Sequence, residues 1–250
     1  MRFPARQWRV VVAMMLLLLS IGPGYQGAAE AEDPPTAAEA ISRLKAGNAH
    51  FVAAPESALP ITSGRRTALA SGQTPFAAVL SCADSRVPPE VVFHTGLGDL
   101  FVVRAAGHVA DRSILASLEY AVEHLNVPLI VVMGHESCGA VKAAVETPAS
   151  QSLGPNLDYM LKAIRPAVAA TASAPDASRI RAAILKNVED SINDLLEGSA
   201  ALRHLAQGGR LGFVGAFYEL STGRAHFSEP AMVSLSASAH APATASAPAH

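Results

Sequence analysis

Four short, nearly unbroken apolar runs, at residues 76–81, 100–104, 127–133 and 211–218, limit what this chain can fold into. They are rich in Val, Leu, Phe and Ile, and the first and third end just before Cys82 and Gly134-His135. Runs of this kind fit strands buried on both faces, as in a parallel sheet. Residues 224–227 follow Thr222-Gly223 and fit an edge hairpin with the fourth run. Helical periodicity fills the gaps. Residues 36–53 carry an apolar stripe at Ala37, Ala40, Ile41, Leu44 and Phe51. Residues 111–124 carry one at Ile114, Leu115, Leu118, Ala121 and Val122. Residues 139–146, 156–170 (with a break expected near Pro166) and 178–196 also read as helices. Strands alternating with helices predict an α/β fold, a mainly parallel central sheet flanked by helices.

The ends of the chain belong to something else. Arg2, Arg6 and Arg9 precede an apolar run at residues 10–21 that is short for a bilayer span of about 20 residues. With Ala29-Glu30-Ala31 behind it, this reads as a signal peptide over residues 1–31, with a mature start near Glu32. An uncleaved membrane anchor is the competing reading. Export, to the periplasm if the source is a Gram-negative bacterium, is the expected destination. Residues 230–250 are rich in Ala, Ser and Pro without apolar periodicity, the composition of a disordered tail. Residues 32–229 remain, enough for one catalytic domain with a single core. Cleavage would remove three of the 19 basic side chains and one of the 21 acidic ones, leaving a net charge of −4. That balance offers no clustered basic face for nucleic acid.

The only two cysteines sit in dense polar clusters, Cys82-Ala83-Asp84-Ser85-Arg86 and His135-Glu136-Ser137-Cys138-Gly139. Two thiolates and an imidazole suit zinc, and three protein ligands leave a fourth position for water. Asp84 and Arg86 follow the first thiolate closely enough to serve that water. The pattern reads as a zinc hydrolase or hydratase. An extracytoplasmic chain could instead pair its cysteines in a disulfide, although that would not require His135 three residues before Cys138. Cys82 and His135 each fall at the C-terminal end of an expected parallel strand, the edge where ligands bind in open α/β sheets. Cys138 would then open the following helix, whose dipole favours a thiolate.

Cys82-x-Asp84-x-Arg86 followed by His135-x-x-Cys138 resembles the signature of beta-class carbonic anhydrases. The similarity extends to RLKAGN at 43–48, residues 75–90, GLGDLFVVR at 96–104, LEYAV at 118–122 and GHESCGAV at 134–141. It covers about residues 38–227. The resemblance implies zinc held by Cys82, His135 and Cys138, and reversible hydration of carbon dioxide to bicarbonate. It also implies an Asp84–Arg86 pair beside the metal. Gln73, Phe101 and Tyr120 match a substrate pocket in the form of the site where water is the fourth ligand. The form in which the aspartate closes the site carries a tryptophan just before the first cysteine, and the sole tryptophan here is Trp8. Gly139 would let substrate approach Cys138. The family implies a homodimer or homotetramer, often with the N-terminal helix embracing a neighbour. Two thiolates donate more charge than three imidazoles, so activity is expected to improve toward alkaline pH.

His94 and His108 stand where relatives look to carry Asp or Asn. They read as solvated loop histidines, with proton shuttling as the alternative. Three rival functions remain at this point. One is a carbonyl sulfide or carbon disulfide hydrolase on the same scaffold. Another is a thiol redox protein, which lacks the usual Cys-x-x-Cys spacing. The third is a non-catalytic zinc-binding domain.

Overall fold

The computed structural model of the chain describes residues 34–228. The signal segment expected at 1–31 and the tail expected at 230–250 lie outside the described residues. Five strands form one sheet in the order β2-β1-β3-β4-β5. β1 (Ala77–Ser81), β2 (Leu100–Arg104), β3 (Leu129–His135) and β4 (Gly212–Tyr218) run parallel. β5 (Ala225–Phe227) closes the edge antiparallel to β4, the hairpin expected after Gly223. β1 and β3 are buried along their whole length, which is why their sequences show no polar alternation.

Alternate residues of the sheet feed two cores. Ala77, Val79, Val131, Met133 and Val214 pack with residues of α1 (Ala37–Ala53), α3 (Pro89–Val92), α5 (Gly139–Glu146) and α6 (Pro155–Ala170). Ala78, Leu80, Ile130, Val132 and Phe213 pack with α4 (Arg112–His124), α7 (Asp176–Gly198) and α8 (Ala200–Gln207). A further short helix, α2 (Ser63–Ala68), buries none of its residues. Among the described residues, no helix is long and apolar enough to cross a membrane.

The helices start where their caps dictate. Thr36 and Glu39 form a reciprocal capping box at the head of α1, with the Thr36 N–H donating to the Glu39 carboxylate at 2.8 Å. Asp111 accepts from the Ser113 and Ile114 N–H groups at the head of α4. α1 is docked by its own next-to-last turn. Gly47 lies so close to α3 that a Cβ there would stand 1.9 Å from the Phe93 carbonyl oxygen. Asn48 beside it donates to the carbonyls of Val92 (3.0 Å) and Gly223 (2.8 Å) and accepts from the Ala225 N–H (2.8 Å). Three bonds from one buried amide thus tie α1 to α3 and to the edge hairpin.

One expectation is corrected. α6 does not break near Pro166 but runs through it from Pro155 to Ala170. Proline deprives the carbonyl four residues earlier of its partner. Here that carbonyl belongs to Lys162, and both Lys162 and Pro166 are on the exposed side, where water can satisfy it.

Candidate metal centre

The sheet order puts β1 and β3 side by side, while their onward connections lead to opposite edges, to β2 and to β4. Such a switch point leaves a crevice beyond the carboxyl ends of the two strands, the place where open α/β sheets bind ligands. Cys82 follows directly on β1, and His135 is the last residue of β3. Ser137, in a left-handed conformation (φ 55°), turns the chain so that Cys138 caps α5. The ligand atoms of Cys82, His135 and Cys138 all lie within 4.8 Å of one another, and all three residues are buried.

The site fits a metal ion on its own chemistry. The His135 Nδ1 lies 2.9 Å from the Glu136 carbonyl oxygen. A carbonyl can only accept, so Nδ1 carries the proton and Nε2 presents its lone pair. That Nε2 is buried and has no hydrogen-bond partner. A buried polar atom with no partner is costly unless something else coordinates it. Two sulfurs stand 3.9 Å apart beside it, as free thiols and not as a disulfide.

Charge in the sulfur pair is unevenly placed. Cys82 is pulled well below the ordinary thiol range, first by its hydrogen bond with Cys138 and then by His135 and by the N–H groups of Asp84 and Gly107. Cys138 is pushed up, chiefly by the same hydrogen bond between the two sulfurs, although the Val141 and Ala140 N–H groups at the head of α5 oppose this. The negative charge therefore gathers on Cys82, into which the Gly107 N–H donates at 3.4 Å.

Asp84 stands just outside the metal group. Its Oδ2 is 3.9 Å from the His135 Nε2, and both its oxygens are held by Arg86. The Arg86 side chain holds the Asp84 carboxyl well below the usual carboxylate range, outweighing partial burial. Arg86 also reaches the Ser137 carbonyl at 3.5 Å, joining the two ligand-bearing loops.

Of the other residues singled out in the sequence, Gln73, Phe101 and Tyr120 lie apart from this cluster. Gln73 is exposed in the loop before β1, on the wall of a surface cavity shared with Leu69, Leu97 and Gly98. Phe101 pairs with Ala78 in mid-strand, three residues before Arg104 pairs with Ser81 at the edge that carries the metal ligands. Tyr120 on α4 is half-exposed, its ring 6.3 Å from that of Phe101. Gly139 follows Cys138 and faces open space: an added Cβ would meet nothing within 4 Å.

His108 is not the solvated loop histidine expected from the sequence. It is buried, and burial pushes its imidazole down to about 4, against the upward pull of Cys82. Its Nδ1 lies 3.1 Å from the Ser191 Oγ on α7. Buried and held against Ser191, the ring is not the solvent-facing side chain that proton shuttling from a loop would use. His94 is half-buried with φ 46°, its ring 4.2 Å from that of His50.

Arg104 was not singled out by sequence reasoning. Its guanidinium donates to the carbonyls of Cys82 (3.0 Å) and Asp84 (2.5 Å), bracing the first ligand loop. A lone cation closing an apolar strand was the available signal.

Comparison with known proteins agrees with this geometry. The carbonic anhydrase family model matches residues 77–225. Carbonic anhydrase 2 of Mycobacterium tuberculosis is 43% identical over 183 residues, covering 73% of this chain and 88% of the relative. A Coccomyxa beta-carbonic anhydrase solved with acetazolamide superposes with a TM-score of 0.62 at 26% identity, over 73% of this chain and 82% of that one. A tetrameric beta-carbonic anhydrase from Sordaria macrospora gives 0.59 at 28% identity, over 65% and 84%. The chain belongs to the beta-class carbonic anhydrase family. It is an enzyme of that class, a lyase, with a buried Cys/His/Cys group able to hold a metal.

Proposed function

We propose that this enzyme holds one zinc ion through the sulfurs of Cys82 and Cys138 and the Nε2 of His135, and interconverts carbon dioxide and bicarbonate. The observation that carries this reading is the unpartnered, buried Nε2 facing two thiols at the carboxyl edge of the sheet. Soft sulfur with imidazole in a set of three is a zinc donor set that leaves a position open. When bound, zinc would lower the pKa of a water in that position toward neutrality.

The surrounding residues supply orientation. Asp84, ionised and acceptor-only, takes a hydrogen bond from the attacking oxygen and fixes which lone pair faces the carbon. Arg86 keeps that carboxylate charged and aimed. As the oxygen–carbon bond forms, one C=O bond gives up its electron pair to become the bicarbonate oxyanion, and the water's proton leaves to buffer. With Asp84 committed to Arg86, the water-accessible form of the site is favoured over the form closed by aspartate.

Gly139 leaves room beside Cys138 for a small linear substrate. Gln73, Phe101 and Tyr120 are proposed to wall the pocket, Gln73 by donating an amide hydrogen to a substrate oxygen. Since they lie away from the metal group of their own chain, they would do so across an interface with a second copy. A homodimer or homotetramer is the corresponding assembly, in keeping with the tetrameric Sordaria relative. Export from the cytoplasm is part of the same proposal, resting on the sequence of the first 31 residues.

The test offers carbon dioxide, carbonyl sulfide and carbon disulfide separately to the zinc-loaded protein. Hydration of carbon dioxide without sulfide release is expected. Sulfide release alone would reassign the substrate, and zinc without turnover of any of the three would make the site structural.

A further inference from the structure

The segment between β2 and α4 passes the metal group as a tight turn of two left-handed residues, Gly107 (φ 64°) and His108 (φ 46°). Glycine adopts this conformation freely but is also the least restrained residue in the chain. A histidine there is strained and must be held by its surroundings. The turn matters because the Gly107 N–H donates to the sulfur of Cys82.

What holds the turn comes from α7, far away in sequence. Asn187 is buried, and its Nδ2 donates to the Gly107 carbonyl at 3.0 Å. One helical turn later, Ser191 lies 3.1 Å from the His108 Nδ1 and 3.4 Å from its carbonyl oxygen. The other side of the turn is closed by apolar atoms: a Cβ on Gly107 would stand 2.7 Å from Ile164 and 3.1 Å from Ala140. Asn187 therefore adds a second polar tie to the Gly107–His108 peptide, whose N–H already donates to the Ala105 carbonyl at 2.9 Å.

We infer that Asn187 is a positioning residue for the metal centre, holding the Gly107 carbonyl so that the Gly107 N–H stays aimed at the Cys82 sulfur. A donor to a ligating sulfur stabilises its charge and fixes its direction, and losing such an outer partner costs about 10–100-fold in metal affinity or activity. The inference rests on the zinc reading above. It assigns no proton transfer to Asn187 and no substrate contact.

The test measures zinc affinity by competition with a chelator, and the sulfur-to-metal charge-transfer band of the cobalt-substituted protein. Asn187→Leu keeps the bulk and removes the donor. Asn187→Ala leaves space that water can enter from the cavity lined by Val109, Lys162 and Ser191, which Asn187 also borders. Because the Gly107 N–H itself remains, both variants are expected to bind zinc more weakly by up to about 10-fold, and to shift the cobalt band. Leu195→Ala loosens α7 without touching the turn, and is expected to lower the melting temperature at unchanged zinc affinity and band position.

Wild-type affinity and band in the Asn187 variants would overturn the inference. So would an equal loss in Leu195→Ala, which would make the effect one of helix stability. If neither Asn187 variant folds, the wild-type protein loaded with an NMR-active cadmium isotope decides. The Gly107 amide proton should then show scalar coupling to the metal through the N–H···S bond, and its absence would count against the inference. Failure of the wild type to bind any of these metals would instead sink the zinc reading itself.

Discussion

Arg86 grips Asp84 at both carboxylate oxygens, its Nε 2.9 Å from Oδ1 and its Nη2 2.7 Å from Oδ2, while its backbone N–H adds a third bond at 3.0 Å. A planar fork can do this and an ammonium cannot. Arg86→Lys should therefore keep the charge but lose the aim, lowering kcat/KM by about 10-fold at unchanged zinc content. Asp84→Asn replaces an acceptor-only group with an amide and should cost about 100-fold or more. Stopped-flow rates on metal-replete samples check both; equal rates for wild type and Asp84→Asn would remove Asp84 from the mechanism.

Gly47 tests which of two opposing effects governs α1. In an open helix, alanine is better than glycine by about 1 kcal/mol. Here the new Cβ would meet the Phe93 backbone oxygen at 1.9 Å, and a backbone atom cannot rotate away. Overpacking of this kind costs roughly 1–3 kcal/mol, so the clash should win and Gly47→Ala should lower stability. A denaturant midpoint at or above wild type would show that α1 can shift off α3 at little cost.

His108 makes a pH prediction with a definite sign. Its folded pKa, near 4, lies below the ordinary histidine value of about 6.5, so the unfolded chain binds its proton first. Stability from this group is full at neutral pH and is lost as pH falls from about 6.5 toward 4. Burial is the dominant cause. Cys82 opposes it, His135 reinforces it, and Ser191 and Asn187 are the polar neighbours on α7. Between about pH 7.5 and 5 the loss amounts to roughly 2 kcal/mol. Comparing the pH profiles of wild type and His108→Asn isolates it. Parallel profiles would contradict the assignment.

Metal removal should leave a folded but less stable protein, because an ion that binds only the native state stabilises it by mass action. Zinc should restore the melting temperature. Magnesium, which prefers oxygen ligands and dehydrates reluctantly, should not. Restoration by magnesium would argue that the Cys82–His135–Cys138 group is not the site being filled.

Much of this was legible in the sequence because the central strands are buried on both faces. β2 matched its apolar run, and the others differed by one or two residues at their ends. β3 runs on through Gly134 to His135 because the sheet continues past the last β-branched residue, where a Cβ on Gly134 would collide with Val188 and Ile184 of α7. α2, α3 and α8 were not legible: α2 buries nothing, α3 is a single turn headed by Pro89, and α8 follows α7 after one residue, Ser199. The metal ligands stood out because cysteine is scarce here and flanked by chemistry. Asn187 and Arg104 did not, because each acts on a backbone group brought near only by the fold. The burial of His108 was hidden for the same reason, since its partner Ser191 lies on a helix much later in the chain.

The most direct test of the account is stopped-flow hydration of carbon dioxide by the protein from Glu32 onward, purified with zinc and reductant, beside Cys82→Ser. Turnover that tracks bound zinc in the wild type and vanishes in the variant is the predicted result. A folded, zinc-loaded wild type that fails to hydrate carbon dioxide even at alkaline pH would contradict it.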